Sequence, residues 1–387
     1  MKTLNAPGDL NLSRVLRLIW QVKGISRVEI AHHLGIDKST VTKIVSTLEE
    51  IGIIRAFAQG ATGKRGGRKP IQLEIDPDFG VALGVEINTD AFHATLVNLH
   101  GEIVETAEGE TRTASIFDSY DAAIAAIAPA IERRGAPLIG IGVGLPAIVN
   151  ADSGEILQSI PLQIEKPVSF AEWATAKHGV PVHVDNDARC GCLGEIIVRH
   201  GMGMDNALFV LAEIRRITGE TGSRKNLSVG FGFVIGGQPL YGQDHSAGEF
   251  RSVLWKPGNS GQFQSSDVHG EKIGSDESVT GSMFAELAGH VALLANTLNL
   301  NHVFIGGLSG ELTESLIGRI DGEIALKWPY ALSHRCEVVP ASLGFRAVAY
   351  GAAGHCLQRF FSLPNIHHKS GSGPSVRESL ERIRVSP

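Results

Sequence analysis

Apolar positions recur at helical spacing through the first fifty residues, and three helices are predicted there. The first spans residues 12–23, where one face holds Leu12, Val15, Leu16, Ile19 and Trp20. Ser26 and Glu29 stand in the spacing of a capping box, which predicts the start of the second helix. Gly35 is expected to end that helix because glycine frees the backbone to turn, and Asp37 is expected to cap the third.

The third helix has two chemically different faces. Its apolar stripe consists of Val41, Ile44, Val45 and Leu48, and its opposite face, near the N-terminus, of Lys38, Ser39, Thr40, Thr42 and Lys43. Taken by itself, such a helix is more often a surface helix with a solvated polar face. As the second helix of a helix-turn-helix it is predicted to be a recognition helix, because the first turns of such a helix reach base edges in the major groove. Arg27 is expected to contact DNA beside it.

A glycine-rich basic segment follows these helices. Two short strands are predicted over residues 53–57 and 71–75, and the sequence GATGKRGGRKP between them supplies Lys64, Arg65, Arg68 and Lys69. A loop of this composition can be a solvated tip, but beside a helix-turn-helix it is predicted to be a wing that contacts DNA. Arg65 and Arg68 are expected to enter a narrow minor groove, where the negative potential is strongest.

From Phe79 onward, strands alternate with helices. Three successive strands are followed by a helix over residues 120–133, a strand over 138–143, a strand over 180–187, and long helices over 279–300 and 347–360. This alternation predicts an α/β architecture. Residues 1–11 are expected to be a flexible lead-in.

Charge is distributed unevenly along the chain. The net charge of −6 combines 12 Lys and Arg against 5 Asp and Glu in residues 1–70 with 23 against 36 in the remainder. Only the basic segment is therefore expected to touch a polyanion. Four scattered cysteines predict no disulfide framework. No apolar run of about 18 residues and no leader pattern indicates a membrane span or secretion, so a cytoplasmic location is expected.

Motifs in both parts of the chain carry a family resemblance. They are SRVEIA, STVTKIVSTLEEIGII and GGRKP in the first 70 residues, and LGVEINTDAFHATLVNLHGEI, GVGLPAIVNADSGEIL, VPVHVDNDARCGCLGE, SAGEF and VFIGGLS beyond them. Together they resemble the repressor branch of the ROK family (repressors, open reading frames and sugar kinases). The resemblance implies a winged helix-turn-helix over residues 1–76 and a two-lobed, actin-like (ribonuclease-H-like) sugar-sensing domain over 77–362. The lobes would comprise 77–185 with the C-terminal helix, and 186–345, leaving 363–387 as a flexible tail.

Two departures from the family's kinases predict that ATP is not used. Kinases carry an Asp-x-Gly-Gly-Thr-Lys turn at the ATP phosphates, where this chain has Glu86, Ile87, Asn88, Thr89, Asp90 and Ala91. Losing both glycines restricts the turn, and Asp90 would set a negative charge toward phosphate. The second phosphate loop survives only as residues 228–232, after an insertion-like segment over 215–226. Phosphoryl transfer needs positioning and charge neutralisation, so no catalysis and no cofactor are expected.

The family's metal site is predicted to be lost. Its His and three Cys align with Ser252, Trp255, Pro257 and Gln262, which do not supply the four donors that zinc needs. Cys190 and Cys192 stand two residues apart on a predicted helix and point different ways, so they are expected to be small packing residues.

The family's sugar site is partly retained. Asn186, Asp187 and Glu249 match its ligand-binding residues, and Gln264 stands where other members have a Glu. In kinases the Asp takes a proton from the sugar hydroxyl, whereas in a regulator it would accept a hydrogen bond from that hydroxyl. Asn186 and Asp187 could alternatively form only a capped turn into a helix.

Together these features predict a sugar-responsive transcriptional repressor. It would bind a double-stranded DNA operator as a homodimer or homotetramer and recognise a small-molecule effector, a sugar or a sugar derivative, without metal, cofactor or membrane. One alternative is an ATP-dependent sugar kinase with an accessory DNA-binding head. Another is a regulator that has lost its ligand and acts constitutively.

Overall fold

A computed structural model describes residues 7–59, 71–111, 115–199, 205–219, 222–259, 261–264, 272–332, 335–362 and 380. The N-terminal part, called the head, comprises the described residues up to 76. Its helices are α1 (Pro7–Gln21), α2 (Arg27–Leu34) and α3 (Lys38–Ile51), and its strands are β1 (Ile25–Ser26), β2 (Ile54–Gln59) and β3 (Ile71–Ile75). The strands form an antiparallel sheet in the order β1-β3-β2. This is the predicted winged helix-turn-helix.

The start of α2 follows from its sequence. The Glu29 N–H donates to Ser26 Oγ, and the Ser26 N–H donates to the Glu29 carboxylate at 2.8 Å, which confirms the capping box. The hydrogen bond from the Ser26 side chain lowers the pKa of Glu29. Gly35 ends α2 with a φ of 62°, as expected. Asp37 occupies the predicted N-cap position of α3, but its exposed side chain makes no capping hydrogen bond, and only its carbonyl joins the helix by accepting from the Val41 N–H.

The first helix is longer than its apolar pattern indicated. It begins at Pro7, so the flexible lead-in is wrong for residues 7–11. Proline suits the first turn of a helix because its φ is already helical and its missing N–H is not needed there. Ser13 Oγ donates to the Asp9 carbonyl at 3.0 Å within the same turns.

The second part of the chain begins with a lobe built on a five-stranded sheet, called lobe I. The strands are β4 (Val81–Ile87), β5 (Ala91–Asn98), β6 (Ile103–Glu110), β7 (Leu138–Leu145) and β10 (Val182–Asn186), in the order β10-β7-β4-β5-β6. Strands β4, β5 and β6 pair antiparallel, whereas β7 runs parallel to β4 and β10 runs parallel to β7. Helices α4 (Ile116–Arg134) and α5 (Phe170–His178) pack on this sheet, and β8 (Ile148–Asn150) pairs with β9 (Glu155–Gln158).

Lobe II repeats the same strand arrangement. Its strands are β11 (Asn206–Gly219), β12 (Gly222–Ile235), β13 (Gln238–Pro239), β14 (His302–Gly306) and β15 (Glu337–Pro340), in the order β13-β12-β11-β14-β15. Three are antiparallel and two continue in parallel, as in lobe I. The other elements are α6 (Asp187–Val198), α7 (Glu277–Thr297), α8 (Gly310–Lys327), a 3-10 turn (Gly344–Arg346) and α9 (Ala347–Phe360). The predicted α/β class is confirmed.

Helices α6 and α9 lie between the two sheets and touch backbone to backbone. A Cβ on Gly351 of α9 would come within 1.7 Å of the Cys190 carbonyl oxygen of α6, so only glycine fits there. Cys190 and Cys192 are buried in this region as packing residues. Among the described helices, α7 is long and apolar enough to span a bilayer, and half of the relevant stretch is buried inside lobe II.

The head and lobe I share one hydrophobic cluster, called the junction, in which Leu16 and Leu73 of the head join Leu99 and Phe361. Trp20 of α1 stacks on Phe361, with ring centroids 4.7 Å apart, and its Nε1 donates to the Leu99 carbonyl at 3.2 Å. Apolar surface on both sides is thereby removed from water.

The expected flexible tail also reaches the junction at one described position. Leu380 is helical and only 3% exposed within this cluster, so the expectation is wrong there. An apolar side chain is stabilised where an apolar surface can cover it. The other residues of 363–387 lie outside the described part of the chain.

Candidate DNA-binding surface and ligand site

Helix α3 buries one face and exposes the other. Val41, Val45 and Leu48 are fully buried. The residues of the predicted DNA-contacting face are exposed except for the half-buried Thr40; they are Lys38, Ser39, Thr40, Thr42 and Lys43. Within the described residues, neither lysine forms an ion pair, so both cations remain accessible to an anionic partner.

Two other predicted groups of DNA contacts have different outcomes. Arg27 donates from Nη2 to both carboxylate oxygens of Glu49 at 2.9 and 2.7 Å, and this ion pair ties α2 to α3 and competes with contact to phosphate. Lys64, Arg65, Arg68 and Lys69 lie outside the described residues. The strands β2 and β3 that flank them are paired in antiparallel register.

The candidate ligand site begins where β10 meets α6. Asn186 ends the strand, and its Oδ1 accepts from the Arg189 N–H at 3.2 Å while its Nδ2 donates to the Ala147 carbonyl at 3.3 Å. Asn186 therefore caps α6, and its contact with ligand stays a prediction. Asp187 is the first residue of α6, and its Oδ1 accepts from the Ala188 N–H at 2.8 Å.

A chain of polar side chains crosses from lobe I to lobe II at Asp187. Asn88, in the turn between β4 and β5, donates to Glu213 of β11 at 3.1 Å. The Arg215 guanidinium binds Glu213 through Nε at 2.8 Å and through Nη2, and Nη2 also donates to Asp187 Oδ2 at 3.3 Å. Burial raises the pKa of Asp187, and Arg215 opposes that rise. Both oxygens of Asp187 are therefore engaged by the protein itself.

Glu249 lies near Asp187 because it pairs with a residue of β12 that is itself close to Asp187. It pairs in an antiparallel bridge with Gly230, where a Cβ would be 3.8 Å from Asp187 Oδ1. The side chain is open to solvent in the cleft but surrounded by protein, and this desolvation, together with Asp187, raises its pKa. The structure therefore gathers Asn186, Asp187 and Glu249 into one region.

Gln264 is not joined to that group. Its side chain is exposed, and its backbone N–H donates to Glu286 of α7 at 3.1 Å. Among the described residues, no hydrogen bond links its side chain to Asn186, Asp187 or Glu249. Its contact with ligand stays a prediction.

The residues interpreted as a second phosphate loop form no loop. Gly230 and Gly232 lie within β12, opposite Leu211 and Phe209 of β11, and residues 215–219 and 222–226 extend the pairing of these two strands rather than interrupt it. A Cβ on Gly232 would be 2.2 Å from the Ala188 carbonyl oxygen. The glycine lets β12 lie against the first turn of α6, so packing accounts for it.

A second buried charged pair lies beside this site. His93 of β5 contacts Glu86 of β4, with Nδ1 and Oε2 3.1 Å apart, and its ring lies 5.4 Å from the Phe345 ring. Burial raises the pKa of Glu86 to about 7, and the hydrogen bond to Glu86 raises the pKa of His93. Near neutral pH the pair is poised to gain or lose a proton.

In the region where the family's metal site was predicted to be lost, the side-chain amide of Gln262 joins the neighbouring backbone segments. Gln262 accepts the Val229 N–H at 2.7 Å and donates to the carbonyls of Val229 and Phe250 at 2.7 and 2.8 Å. Ser252 Oγ lies 3.0 Å from Nε2 of His290. Among the residues that the structure describes, no group of three or more His, Cys, Asp or Glu could hold a metal ion.

Sequence reasoning missed the two buried arginines of the cleft, Arg189 and Arg215. Arg189 donates to Asp185 Oδ1 at 2.7 Å, four residues earlier in the chain. Arg215 and Glu213 stand two apart on one strand, and so on one face of it. These spacings are visible in the sequence but are common on solvated surfaces, and only the fold shows that both pairs are buried.

Comparisons with known proteins agree with the two-part structure. The model of the MarR family matches residues 10–58, and the model of the ROK family matches residues 82–257. A xylose repressor of Caldicellulosiruptor bescii is 29% identical over 194 residues, 48% of this chain and 47% of that protein. The chain thus spans about half the length of that relative.

Two further comparisons extend over nearly the whole chain. A xylose repressor of Bacillus subtilis strain 168 is 23% identical over 387 residues, covering 92% of this chain and 96% of that protein. A crystal structure of a ROK family transcriptional regulator, a homologue of the E. coli MLC protein, has a TM-score of 0.69 and 19% identity, and covers 90% of this chain and 96% of that one. The structural likeness establishes the shared two-lobed, actin-like fold behind a winged helix.

Proposed function

Because the chain carries a ROK family domain behind a MarR-like winged helix-turn-helix, we propose that it is a sugar-responsive transcriptional repressor. It acts in the cytoplasm as a homodimer or homotetramer. Two recognition helices enter successive major grooves of a pseudo-palindromic operator, with the wings in adjacent minor grooves. The effector domain has a kinase-like fold but does not transfer phosphate.

The observation that carries the proposal is the division of α3 between a buried and an exposed face. The buried stripe locks the helix onto the head, and the exposed hydroxyls and cations near its N-terminus stand where base edges and phosphates would be met. The basic wing sequence adds charge on the same segment of the chain. Phosphate contacts of this kind make affinity fall steeply with salt.

The cleft beside α6 is the proposed effector site. Asn186, Asp187 and Glu249 supply an amide and two carboxylates, which bind sugar hydroxyls by hydrogen bonding. The xylose repressors among the relatives support a monosaccharide as the class of ligand. A ligand that favours one arrangement of the two lobes would change the spacing of the two heads, and couplings of this kind are typically about 1–3 kcal/mol.

The absence of catalysis is supported by the way in which the cleft is filled. Asp187, the residue that aligns with the catalytic base of the kinases, is held by the Ala188 N–H and by Arg215. The Asn88 turn is bonded directly to Glu213, so the protein's own side chains link the two segments that a nucleotide phosphate would have to separate. Contacts to both oxygens restrict the approach of a sugar hydroxyl to Asp187, although burial raises the pKa of this carboxylate.

Fluorescence anisotropy tests the regulator. The full chain is titrated against duplex DNA from its own upstream region, at several salt concentrations, with a panel of monosaccharides, aminosugars and their phosphates. The expected result is tight, salt-sensitive binding that one compound changes. Binding that no compound changes would favour the regulator that has lost its ligand, and that alternative also predicts no thermal shift with any sugar.

The kinase alternative has its own assay. A coupled ADP-release measurement over the same panel is expected to give no turnover above a no-sugar control. Turnover with one sugar, together with weak DNA binding that is independent of salt, would replace the repressor by a sugar kinase with an accessory head.

A further inference from the structure

Arg189 is a buried cation that the proposed function leaves without a role. It is only 4% exposed, and it belongs to the first turn of α6, two residues after Asp187 of the ligand-site pair. Toward lobe I, its Nε donates to Asp185 Oδ1 at 2.7 Å and its Nη2 donates to the Val149 carbonyl at 3.4 Å. One side of the guanidinium is thus fixed to the ends of β10 and β8.

The other side of the guanidinium reaches residues 241–249, called the site segment because it ends at Glu249. Nη1 donates to the carbonyls of His245 and Ala247 at 3.0 and 3.5 Å, and the guanidinium lies 5.3 Å from the centre of the Tyr241 ring. The segment itself is bound to lobe II, since the Phe231 N–H of β12 donates to the Gly248 carbonyl at 3.0 Å. Arg189 therefore ties a lobe II segment to lobe I.

The site segment needs such support because one of its residues, His245, is held in an unfavourable backbone conformation. His245 has a φ of 59°, a left-handed conformation that costs free energy for a residue with a Cβ. Gly248 has a φ of 99°, and a Cβ there would be 1.9 Å from the Phe231 carbonyl oxygen. A backbone of this shape persists only where its surroundings determine it, and two of its carbonyls are satisfied by Arg189.

We propose that Arg189 is a positioning residue of the ligand site, which holds the site segment, and with it the Glu249 carboxylate, beside Asn186 and Asp187. The proposal rests on the function proposed above in taking Glu249 as a ligand contact. A guanidinium suits this place because its planar fork of donors reaches acceptors on both lobes at once. Lysine carries one ammonium and cannot span Asp185, Val149 and His245 together.

Helix α6 offers a matched control at its other end. Arg199 also pairs with an acid four residues earlier, with its Nε 3.6 Å from Glu195, and it also lies over an aromatic ring, 4.9 Å from the centre of Phe304. Within the described residues it makes no contact with the site segment. Arg199→Ala removes the same charge from the C-cap of this helix without removing the tie between lobes.

Hydrogen exchange measured by mass spectrometry on the full chain tests the proposal without a ligand. Arg189→Ala is expected to make the peptide covering residues 241–250 exchange at least tenfold faster, with residues 206–213 of β11 unchanged. Arg199→Ala is expected to leave both peptides as in the wild type. Free guanidinium ion at millimolar concentration is expected to restore protection in Arg189→Ala, which a general loss of packing would not allow.

Two exchange results in Arg189→Ala would overturn the proposal. One is unchanged protection of residues 241–250, and the other is an equal loss of protection in residues 241–250 and 206–213. If Arg189→Ala does not fold, Arg189→Lys provides the same test, because it keeps the charge beside Asp185 and loses the fork.

A ligand measurement separates this proposal from the function on which it rests. D-xylose is the probe, and its apparent affinity is obtained from the thermal shift of each protein. The affinity is expected to be at least tenfold weaker in Arg189→Ala than in the wild type, and unchanged in Arg199→Ala. Equal D-xylose affinity in the wild type and Arg189→Ala would overturn the positioning role. No shift of the wild type counts against the sugar assignment alone, since the exchange experiment decides the role of Arg189.

Discussion

The recognition helix and the cleft use their polar side chains in opposite ways. On α3 the lysines and hydroxyls face solvent, and within the described residues Lys38 and Lys43 have no ionic partner. In the cleft, Asp187 and Glu213 are both bound to Arg215, and Asn88 closes the chain of contacts from lobe I. One region is ready for a polyanion, whereas the other is already satisfied by its own residues.

This difference has a consequence for how each region binds. DNA can meet α3 without breaking any described ion pair of that face, so the association proceeds at little internal cost. A ligand that hydrogen-bonds Asp187 has to share it with Arg215 or displace Arg215, and Arg215 also holds the Glu213 carboxylate that Asn88 of lobe I contacts. A binding event that replaces interlobe contacts changes the relative stability of lobe arrangements, which is what a sensor requires.

The largest test of this comparison removes the central cation of the cleft. Arg215→Met leaves Asp187 and Glu213 buried without their partner, and breaking a buried ion pair typically costs about 3 kcal/mol or more. Urea denaturation at pH 7.5 is expected to show a loss of about that size. Lys43→Met on α3 is the matched control, expected to change the free energy of unfolding by less than about 0.5 kcal/mol. Similar losses in the two variants would abolish the distinction.

A pH series tests the second buried pair of the cleft. In the folded state the pKa of Glu86 is about 7, above its ordinary value of 4.5. Between these two pH values the native state therefore keeps a proton on Glu86 that the unfolded chain has released. The free energy of unfolding therefore falls as the pH rises through this window. The pKa of His93 is raised above 6.5, and its contribution is likewise present at low pH and lost as the pH rises through the folded value.

Glu86→Gln is expected to remove up to about 3 kcal/mol of this decline between pH 4.5 and 8. Urea denaturation of variant and wild type at both pH values measures the difference. Glu314→Gln, which alters an exposed carboxylate on α8, is expected to follow the wild type. A decline as steep in Glu86→Gln as in the wild type would contradict the assignment.

On the head, Lys43→Ala is expected to weaken binding to upstream duplex DNA about tenfold and to reduce the salt slope by about 0.9, because one phosphate fewer is neutralised by the protein. Fluorescence anisotropy at several salt concentrations measures both quantities. Lys256→Ala, an exposed lysine of lobe II, is the control and is expected to bind DNA as the wild type does. An unaltered slope in Lys43→Ala would remove α3 from the DNA interface.

The smallest expected effect concerns a hydroxyl on the same helix. Thr42 Oγ1 donates to the Lys38 carbonyl at 2.8 Å, so only its lone pairs are available to DNA. Thr42→Val is expected to lower DNA affinity by less than about threefold and to leave stability within about 0.5 kcal/mol. Loss of all operator preference in Thr42→Val, measured against a scrambled duplex, would instead make Thr42 the main base-reading contact.

The sequence predicted the head well because the head is built from local contacts. The Ser26 and Glu29 capping box spans four residues, and the apolar stripe of α3 lies within eight, so their geometry follows from helix periodicity. The side-chain cap predicted for Asp37 is absent because an exposed aspartate can be hydrated instead of accepting a backbone N–H. The flexible tail failed at Leu380 because the cluster that this residue joins includes head residues such as Leu16, which no local pattern connects to it.

The cleft could be predicted only in part. Family resemblance brought Asn186, Asp187 and Glu249 to attention, and the structure gathers them. Asn88 and Glu213 are 125 positions apart, and Arg215 is 28 from Asp187, so no periodic pattern links them. Gly232 of β12 shows the same limit. It is required because a Cβ at this position would lie 2.2 Å from the Ala188 carbonyl oxygen of α6, and the sequence does not show that α6 packs there.

The junction between head and lobe I determines how the chain can be divided. Leu16, Leu73, Leu99 and Phe361 belong to one core, and Trp20 reaches across it to a lobe I carbonyl. A fragment ending near residue 76 would expose the half of that core which lobe I covers, and heat would melt head and lobe I in a single calorimetric transition. Recombination that exchanges heads between such proteins therefore has to exchange the matching surface of lobe I and the end of α9 as well.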